Sequence, residues 1–594
     1  MTDVGRHPKI TLHTLSEVVD VKGYVGNFKV KILKKARYVD ENECISCGEC
    51  AKVCPVVRPD EFNMGLSSRR AIYSPFPQAV PSSFMININE CLGHNPVVCA
   101  KCLDVCNKGC INFHMSDAEF MEDIGSIVVA TGMDVYDPTE LDEYGYTRFE
   151  NVITSLEFER LVNAGGPSQG SLICPADRKK PKSVGFIQCV GSRSSRKGHE
   201  YCSNICCMNT IKSTLLLKEH DPDIEIKVFY IDIRAFGKGF EDLYLRSRRL
   251  GVQYLRGLPG TVEEKADGSL KVAVENTATG KLEFHDLDML VLALGLKPSK
   301  STRKLQEMLG LQLTPDGFFL EAHPKLQPVD AATRGVFFAG CAEAPKDIKE
   351  SVTQASASAV RAIRLMHKGE ITSEPITSEV IAEQCKACGK CAEVCPYNCI
   401  SVDVKKKIPA VVNTASCAGC GTCAAECPFG AITMSHFTDD QLYVQIDALL
   451  DEMPKEKILT FACNWCSYAG ADYAGVSRLQ YPANIHLIRT MCSGRVDEKF
   501  IWHAFKKGAP VVLVSGCHIG DCHYIDANHW TEKRIRKIHK KMDKLGIRKE
   551  RLQLEWISAA EGIRFAGVMN QMENLRKSVS YQEIAETIKK LKKK

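Results

Sequence analysis

Eight cysteines between Cys385 and Cys427 have a type and a spacing that could do chemistry. They form two runs, each spaced C-x2-C-x2-C-x3-C and each followed by proline, with a short spacer between the runs. Three closely spaced thiolates can hold one cubane iron–sulfur cluster, and the fourth, just before proline, can reach a second cluster. This stretch is therefore expected to carry electrons.

The two runs resemble the bacterial two-cluster ferredoxins, in which ligands cross between runs. The resemblance implies two [4Fe–4S] clusters, one held by Cys385, Cys388, Cys391 and Cys427 and the other by Cys417, Cys420, Cys423 and Cys395. A pair of zinc knuckles is the alternative, but zinc sites usually pair two C-x2-C units over a longer spacer. Cys399 is left over, and we interpret it as a small buried core thiol.

A second cysteine-rich stretch lies nearer the N-terminus. Its first run is complete, and its second keeps C-x2-C-x3-C but has a loop, Leu92 to Val98, inserted after its first cysteine. The same crossed pattern predicts two further [4Fe–4S] clusters, one held by Cys44, Cys47, Cys50 and Cys106 and the other by Cys91, Cys99, Cys102 and Cys54. Cys110 is left over here, and we again interpret it as a core thiol.

Composition sets the broad class of the protein. The chain has 594 residues, and this length predicts several domains. It contains 29 cysteines and has a formal net charge of +5. Clustered cysteines of odd number favour metal ligation over a disulfide framework. The polar start, and an apolar run of only about ten residues near Leu287 to Leu296, predict a cytoplasmic chain without a transmembrane segment. We interpret the basic tail as a frayed helix end and expect no nucleic acid partner.

Strand-like segments surround the first cysteine-rich stretch and follow it. Ile10 to Val19 and Tyr24 to Ile32 predict two strands joined by a turn around Lys22 and Gly23. Buried strands are predicted at Ile124–Gly132, which ends in Ala-Thr-Gly, at Met289–Gly295 and at Thr333–Gly340, and an Ala-rich helix at Ser351–Met366. Each strand alone is typical of an α/β sheet.

In this order, the segments resemble the flavoprotein disulfide reductases of the thioredoxin reductase type. The resemblance implies FAD contacts at Thr131, Gly132, Gly340, Cys341, Lys346 and Asp347, with Cys341 replacing the aspartate usual in that family. Lys346 is a candidate for tuning the electronics of the flavin, and a structural lysine is the alternative. The family's G-x-G-x-x-G fingerprint is absent from the sequence. We therefore expect FAD to be completed by a partner chain; loss of flavin binding is the alternative.

The second nucleotide-binding region is altered as well. Lys182 to Ser192 stands where that family places its NAD(P)H-binding strand, again without the glycine fingerprint. Four cysteines spaced C-x12-C-x3-C-C follow, which are Cys189, Cys202, Cys206 and Cys207. They predict a fifth [4Fe–4S] cluster, because the alternative of a reactive dithiol leaves two cysteines unexplained. The chain is then not expected to take hydride from NAD(P)H at this site.

The last 158 residues show a new α/β pattern, in which three strands each end just before cysteines. The strands are predicted at Lys457–Phe461, Ile485–Arg489 and Pro510–Val514. Open α/β sheets place their sites at such strand ends. Four of five thiolates could hold a [2Fe–2S] cluster, chosen from Cys463, Cys466, Cys492, Cys517 and Cys522. Zinc with His518 or His523 is the alternative.

The motifs C-N-W-C-S-Y-A-G-A-D, M-C-S-G-R and G-C-H-I-G-D-C-H-Y in this region resemble the delta subunit of methyl-viologen-reducing hydrogenase. The earlier motifs together resemble the A subunit of heterodisulfide reductase over roughly residues 1 to 436.

These resemblances imply a multidomain α/β fold: an incomplete thioredoxin reductase-like flavoprotein fold, two α+β ferredoxin domains and a small α/β iron–sulfur domain. The implied division is 1–36 partial FAD-domain segment, 37–120 inserted ferredoxin domain, 121–180 FAD-domain continuation, 181–295 second nucleotide-domain-like region with the four-cysteine site, 296–375 FAD-domain completion, 376–436 C-terminal ferredoxin domain and 437–594 hydrogenase delta-like [2Fe–2S] domain.

The implied function is electron transfer in an anaerobic heterodisulfide reductase-type complex, with FAD splitting or joining electron pairs. The implied partners are B- and C-type subunits, ferredoxin, a hydrogenase, formate dehydrogenase or deazaflavin-oxidising subunit, and a second copy of the complex. A flavin-free electron-conducting scaffold, or the electron-input subunit of another reductase such as an acyl-CoA reductase, are the alternatives.

Overall fold

The computed structural model describes residues 2–93, 98–370, 372 and 375–592. Part of the predicted Leu92–Val98 insertion and the last two residues of the basic tail lie outside these ranges. Among the described residues, no helix combines the length and the apolar character that crossing a lipid bilayer would require.

The chain begins with a short helix and a β-hairpin. These are α1 (Thr2–Arg6), β1 (Ser16–Tyr24) and β2 (Asn27–Lys34). The turn lies at Val25 and Gly26, so the predicted turn at Lys22 and Gly23 is wrong. Both glycines have positive φ, but Gly23 pairs with Phe28 within the ladder, and only Gly26 sits where the chain reverses.

The first cysteine-rich stretch folds between two strands of one sheet. Its elements are α2 (Glu49–Lys52), β3 (Arg58–Pro59), β4 (Ser68–Arg69), β5 (Ile72–Tyr73), β6 (Met85–Ile86) and α3 (Lys101–Asp104). The chain then returns as β7 (Ala118–Ile124), which completes an antiparallel sheet in the order β1-β2-β7. The stretch is thus an insertion whose two ends are held together by β2 and β7.

A parallel sheet forms the centre of the next region. The elements are β8 (Ile127–Val129), β9 (Met133–Val135), β10 (Val152–Thr154), α4 (Ser155–Leu161), β11 (Ser183–Val190), α5 (Cys206–His220), β12 (Glu225–Tyr230), α6 (Phe240–Arg249), β13 (Gln253–Arg256), β14 (Pro259–Glu264), β15 (Leu270–Asn276), β16 (Lys281–Leu287) and β17 (Met289–Leu294). Five of these strands pair in parallel in the order β10-β17-β11-β12-β13. Every residue of β17 is buried, as expected for a strand covered on both faces.

The next part of the chain forms a smaller sheet that includes β8, a strand of three residues. The elements are β18 (Leu296–Pro298), α7 (Thr302–Leu309), β19 (Glu321–His323), β20 (Gln327–Ala331), β21 (Val336–Phe338) and α8 (Ile348–Lys368). The strand order is β19-β20-β21-β8, and β21 runs parallel to β8. The long segment predicted from Ile124 is therefore divided, because Ile124 belongs to β7 and Gly125 lies in the bend between β7 and β8.

The second cysteine-rich stretch has two short sheets, each made of two antiparallel strands. Its elements are β22 (Ser378–Val380), α9 (Lys390–Glu393), β23 (Ile400–Asp403), β24 (Ile408–Val412), α10 (Thr422–Glu426) and β25 (Ile432–Met434). β22 pairs with β25, and β23 pairs with β24.

The C-terminal region is a parallel sheet covered by helices on both faces. Its elements are α11 (Asp439–Leu450), β26 (Ile458–Cys463), α12 (Ser467–Val476), β27 (Ile485–Thr490), α13 (Glu498–Lys506), β28 (Val512–Gly516), α14 (Ala527–Leu545), β29 (Leu552–Trp556), α15 (Gly562–Ser578) and α16 (Tyr581–Lys592). The order β27-β26-β28-β29 places β26 and β28 at the centre. Fully buried Phe461, Phe500 and Phe505 belong to one core, and each contributes about 1.5–3 kcal/mol through burial.

Candidate electron-transfer sites

Four thiols of the second ferredoxin-like stretch border one cavity. Cys385, Cys388, Cys391 and Cys427 are among the residues that line this small cavity. Burial raises the pKa of Cys391 to about 11. Because ligand thiols bind iron as thiolates, this site is expected to release protons when a cluster binds.

The other four thiols of this stretch lie deeper. Cys423 is close enough to Cys420, Cys395 and Cys417 for these neighbours to raise its pKa further, beyond the larger effect of burial. Cys417, Cys420 and Cys423 are all buried. The hydroxyl of Ser378, itself buried, lies 3.0 Å from Cys423 Sγ. The thiols of this stretch thus lie in two groups, with the membership that the ferredoxin resemblance implies.

The first ferredoxin-like stretch has the same arrangement. Cys54, Cys91, Cys99 and Cys102 are among the residues that line one small cavity. Burial raises the pKa of Cys50 to about 12, and Cys44 and Cys47 are among its charged neighbours. The remaining ligand candidate, Cys106, contacts Cys110, and so does Cys44.

The four cysteines spaced C-x12-C-x3-C-C meet at the end of β11 and the start of α5. Cys206 has Cys189, Cys207 and Cys202 as its charged neighbours, and both Cys189 and Cys207 are buried. Cys189 takes a left-handed backbone conformation with φ of +59°, which turns the chain at the strand end. The Arg193 guanidinium lies against the Cys189 thiol and forms two bonds to the Asp232 carboxylate, 2.5 and 3.0 Å long.

Five thiols converge at the carboxyl edge of the C-terminal sheet. Cys463 Sγ lies 3.8 Å from Cys517 Sγ, and Cys466 and Cys522 also contact Cys517. Cys492 contacts Cys463 and Cys522. Four members of this group, Cys463, Cys492, Cys517 and Cys522, are buried, whereas Cys466 is half-buried.

The two histidines beside these thiols have other partners. His518 Nε2 lies 2.6 Å from Glu561 Oε2, and the His523 ring stacks on Trp465 with 3.9 Å between centroids. A backbone bond at Ser558 and the His518 contact lower the pKa of Glu561 to about 2. In the described ranges no group of three or more His, Cys, Asp or Glu side chains is placed to hold a single metal ion.

The deeper ferredoxin-like site and the five-thiol site share one interior. Cys420 belongs to the same buried group as Cys463, Cys492, Cys517 and Cys522. Tyr397 and Tyr524 pack in this group, and Tyr524 accepts a 3.0 Å hydrogen bond from Trp465 Nε1. Sequence reasoning missed this contact, because nothing in the spacing of the two cysteine groups indicates how their domains are oriented.

A buried arginine holds these two domains together. Arg534, on α14, bonds the Glu426 carboxylate of α10 at 2.7 and 3.0 Å and donates to the carbonyls of Gly494 and Val496. Breaking a buried, hydrogen-bonded ion pair by removing one partner costs about 3–5 kcal/mol. The domain contact is therefore a fixed part of the fold.

The residues expected to contact FAD meet at one edge of the smaller sheet. Because β8 and β21 are parallel, Thr131 and Gly132 lie beside Gly340 at their carboxyl ends. Gly132 and Gly340 both have positive φ, a conformation that favours glycine. Because glycine has no side chain, a ligand can approach the backbone closely at both positions. Lys346 forms an ion pair with Glu343, and the Cys341 thiol lies 3.4 Å from the Lys346 carbonyl oxygen.

The first turn of α8 is occupied by its own side chains. Asp347 accepts from the Glu350 amide at 2.6 Å, and Glu350 accepts from the Asp347 amide at 3.1 Å, which is a capping box. Glu350 also accepts a 3.3 Å bond from Asn204, in the loop between Cys202 and Cys206. The expected flavin edge thus adjoins the four-cysteine site.

Most of α8 faces away from the protein core. Of its 21 residues, only Ser358 and Ala362 are buried. Ile348, Val352, Val360 and Ile363 are each more than half exposed, and Val128 of β8 is exposed beside them. The residues present fit the strand-end side of an FAD site, while the sequence has no glycine fingerprint to hold the pyrophosphate.

Three family models match parts of the chain. One described as "Methyl-viologen-reducing hydrogenase, delta subunit" matches residues 458–578. A "4Fe-4S dicluster domain" matches residues 384–431, and a "4Fe-4S binding domain" matches residues 37–57. The presence of [4Fe–4S] domains in both cysteine-rich stretches is confirmed.

Two solved structures also resemble part of the chain. They are thioredoxin reductases from T. acidophilum and Lactococcus lactis, 12% and 16% identical, each covering 42% of this chain and 68% of the solved chain with a TM-score of 0.27. A similarity at that TM-score is too low to assign the fold of the region.

Curated relatives match nearly the whole chain. The A subunit of the ferredoxin/F(420)H(2)-dependent CoB-CoM heterodisulfide reductase of Methanosarcina acetivorans is 42% identical over 573 residues, which are 96% of this chain and 71% of that protein. The A subunit of the H(2):CoB-CoM heterodisulfide,ferredoxin reductase of Methanothermobacter thermautotrophicus is 48% identical over 77% of this chain and 68% of its own length. The chain therefore belongs to the family of heterodisulfide reductase A subunits, which are iron–sulfur electron-transfer subunits of an oxidoreductase.

Proposed function

We propose that this chain conducts electrons from a dehydrogenase or hydrogenase partner, through its C-terminal domain and its second ferredoxin domain, to a flavin site in the reductase-like region. It would hold five [4Fe–4S] clusters and one [2Fe–2S] cluster in the ligand sets described above. The observation that carries the proposal is the single buried group shared by Cys420 and the five-thiol site.

The first step of this route needs no further protein. Electron transfer between clusters depends on a short, packed path. Tyr397, Tyr524, Ala418 and Ala527 pack together with the thiols of the two sites. The five-thiol site would be the entry point, because Cys466 is half-buried and Trp465 beside it is 42% exposed. Cys466 contacts Cys517 from outside the four more deeply buried thiols, so we assign it as the spare cysteine.

The second step leads from the ferredoxin domain to the reductase-like region. Arg334, just before β21, donates a 3.1 Å bond to the carbonyl of Ala415, two residues before Cys417. Gly310 lies so close to Asn398 that a side chain at position 310 would collide with it. The same deep cluster site therefore borders both the entry domain and the reductase-like region.

The flavin site would serve two branches. FAD, when bound, would supply the exchange between paired and single electrons that bifurcation or its reverse requires. The residues Thr131, Gly132 and Gly340 would face it at the strand ends, and the four-cysteine site would receive or deliver electrons through the loop that carries Asn204. The first ferredoxin domain would form the branch to free ferredoxin.

The names of the relatives indicate which partners to test. They name ferredoxin, F420H2, H2 and formate together with the CoB-CoM heterodisulfide. We propose the same classes of partner here: a donor enzyme at the C-terminal domain, B- and C-type subunits for the disulfide, and free ferredoxin. A second copy of the complex is also part of the proposal.

We further propose that the exposed face of α8 and β8 receives the unit that holds the FAD pyrophosphate. That unit would carry a strand, a G-x-G-x-x-G turn and a helix, and it would lie outside these 594 residues. The apolar side chains of Ile348, Val352 and Ile363 recur at helical spacing, which suits packing against a sheet or a helix. Covering them would make α8 an ordinary buried helix of an FAD domain.

A flavin-free conducting scaffold is the second candidate. The missing fingerprint favours it, and so does the capping box that places Asp347 and Glu350 at the start of α8. Flavin and iron analysis of the purified complex distinguishes the two candidates. Preparations that retain full iron but never contain FAD would overturn the flavin-dependent function and leave the conducting route intact.

The entry route is tested with Cys517→Ser, which removes the most central thiol of the five-thiol site. We expect the purified complex to lose reduction of its [4Fe–4S] clusters by the physiological donor, while dithionite still reduces them. Cys174→Ala, at a buried cysteine that no cluster site uses, is the matched control. Unchanged reduction by the donor in Cys517→Ser would contradict entry through this domain.

A further inference from the structure

Two of the cysteines outside the ligand sets occupy the same position in their domains. Cys110 follows the ligand Cys106 by four residues, and Cys399 follows the ligand Cys395 by four residues. Both are buried, with 8% and 5% of their surface exposed. Simple core packing explains their burial but not what each thiol touches.

Each of these thiols lies against a ligand. Cys110 Sγ is 3.5 Å from Cys106 Sγ, and Cys399 Sγ is 3.4 Å from Cys395 Sγ. Cys110 also contacts Cys44, and Cys399 also contacts Cys417. In both domains the two contacted cysteines belong to one proposed ligand set. One of them is the ligand that crosses from the other run (Cys106 or Cys395), and the other is the first cysteine of the run that supplies the remaining ligands (Cys44 or Cys417).

The direction of these hydrogen bonds follows from ligation. A cysteine bound to iron is a thiolate without a proton, so it can only accept. Cys110 and Cys399 must then donate. Ser378 adds a hydroxyl at 3.0 Å from Cys423, another member of the Cys399-contacted set. Hydrogen bonds to cluster sulfurs favour the more negative, reduced cluster and raise its reduction potential.

The second cluster site of each domain lacks this thiol. The position four residues after Cys427 is Ala431, and the position four residues after Cys54 is Arg58. Ala431 is buried like Cys399, so the two positions of the C-terminal ferredoxin domain differ chiefly by the sulfur.

We propose that Cys110 and Cys399 are positioning residues that make the two clusters of each ferredoxin domain unequal in reduction potential. In the C-terminal ferredoxin domain, Cys399 and Ser378 make the cluster of Cys395, Cys417, Cys420 and Cys423 the more easily reduced of the pair. That cluster borders both the five-thiol site and the reductase-like region. Electrons that enter the domain would therefore reside mainly on the cluster that lies between these two sites. The inference rests on the proposed ligand sets.

The test is an anaerobic redox titration of the complex followed by electron paramagnetic resonance. Cys399→Ala is expected to shift the equilibrium of one [4Fe–4S] cluster about tenfold towards the oxidised form, which is about 59 mV for one electron. Cys399→Ser keeps a donor and is expected to restore the potential. Cys174→Ala, a buried cysteine whose thiol lies against the Asp288 carbonyl, is expected to shift none.

Two results would overturn the proposal. One is a Cys399→Ala protein with full iron and unchanged midpoint potentials. The other is loss of a cluster in both Cys399→Ala and Cys110→Ala, since these thiols would then be ligands or packing elements. If only Cys399→Ala loses iron, the proposal is tested with Cys110→Ala, which is expected to shift the redox equilibrium of one [4Fe–4S] cluster by the same factor of about ten. Unchanged potentials in Cys110→Ala would then overturn the proposal. Failure of the electron route alone, with the potentials shifted as expected, would leave this inference standing.

Discussion

A fixed positive charge lies against one thiol of the four-cysteine site. A bound [4Fe–4S] cluster with four thiolates carries net negative charge, which must be compensated when it is buried. Arg193 provides a fixed positive charge there, because Asp232 holds its guanidinium through two bonds. The backbone N–H of Asn204 also donates a 3.3 Å hydrogen bond to Cys202 Sγ.

Replacing Arg193 by glutamine is expected to lower the reduction potential of this cluster. Removing a positive charge at hydrogen-bonding distance disfavours the reduced cluster, by about tenfold in the redox equilibrium. A redox titration followed by electron paramagnetic resonance measures the shift. Arg196→Gln, at an exposed position three residues along the chain, is the control and should behave as wild type. Equal potentials in both variants would show that Arg193 only shapes the loop.

At the scale of elements, a glycine sets how closely the ferredoxin domain approaches the C-terminal domain. A Cβ atom at Gly494 would lie closer to Thr422 Oγ1 than van der Waals contact allows, and 3.0 Å from Ala527 Cβ. Thr422 begins α10, which carries Cys423, and Ala527 begins α14. The close contact of the two helices therefore depends on the missing side chain.

Gly494→Ala is expected to separate the two domains and to slow electron transfer between them. Overpacking at such a contact costs about 1–3 kcal/mol of stability. Rapid-freeze spectroscopy after mixing with the donor measures how fast the [4Fe–4S] clusters are reduced. Gly475→Ala on α12, where a Cβ meets no atom within 4 Å, is the matched control. The expectation fails if both variants transfer electrons at the wild-type rate.

A carboxylate on α15 makes the stability of the C-terminal domain depend on pH. Hydrogen bonds from Arg576 hold the pKa of Glu573 down to about 2, below its ordinary value of 4.5. A group with a lowered pKa stabilises the fold above its unfolded value, and this contribution is lost as the pH falls from about 4.5 towards 2.

Glu573→Gln is expected to remove that contribution, about 1–2 kcal/mol at pH 7. Urea unfolding under anaerobic conditions should show a gap between wild type and variant at pH 7 that narrows below pH 4.5. Glu586→Gln, at an exposed position on α16, should follow wild type throughout. A gap that stays constant with pH would mean that Glu573 acts through packing rather than through its charge.

At the scale of the whole molecule, the outer face of α8 exposes apolar side chains that we propose a further FAD-binding unit covers. Val352 is 60% exposed, so Val352→Lys is expected to leave the stability of this chain within about 0.5 kcal/mol of wild type. The same change is expected to abolish FAD retention by the complex, because a lysine cannot be buried against the FAD-completing unit. Flavin content per iron atom measures this effect.

Thr353→Lys supplies the matched control. Thr353 is exposed on the same helix but outside the apolar stripe. It should retain FAD. Loss of flavin in both variants would point to a general effect on α8, and retention in both would contradict docking at this face.

Local spacing indicated which cysteines lie close together, because the proposed ligands of one cluster are mostly within a few residues of each other in the sequence. The A subunit family and the delta-like C-terminal region could also be recognised from such motifs. Long-range features could not: Arg534 and Glu426 are 108 positions apart. Strand β29 was missed because, unlike the three predicted strands of its sheet, it is not followed by cysteines. The hairpin turn was misplaced because two nearby glycines both suit a turn.

The interior shared by Cys420 and the five-thiol site has a consequence for how the two proposed clusters there would respond to oxygen. Cys420 and Tyr397 form part of the wall around the neighbouring thiols. Oxygen that destroys the cluster at Cys420 would loosen that wall and admit water and further oxidant to the next site. Inactivation of the C-terminal half by air should therefore proceed as one event, with both sites lost together, and not as the gradual failure of independent centres.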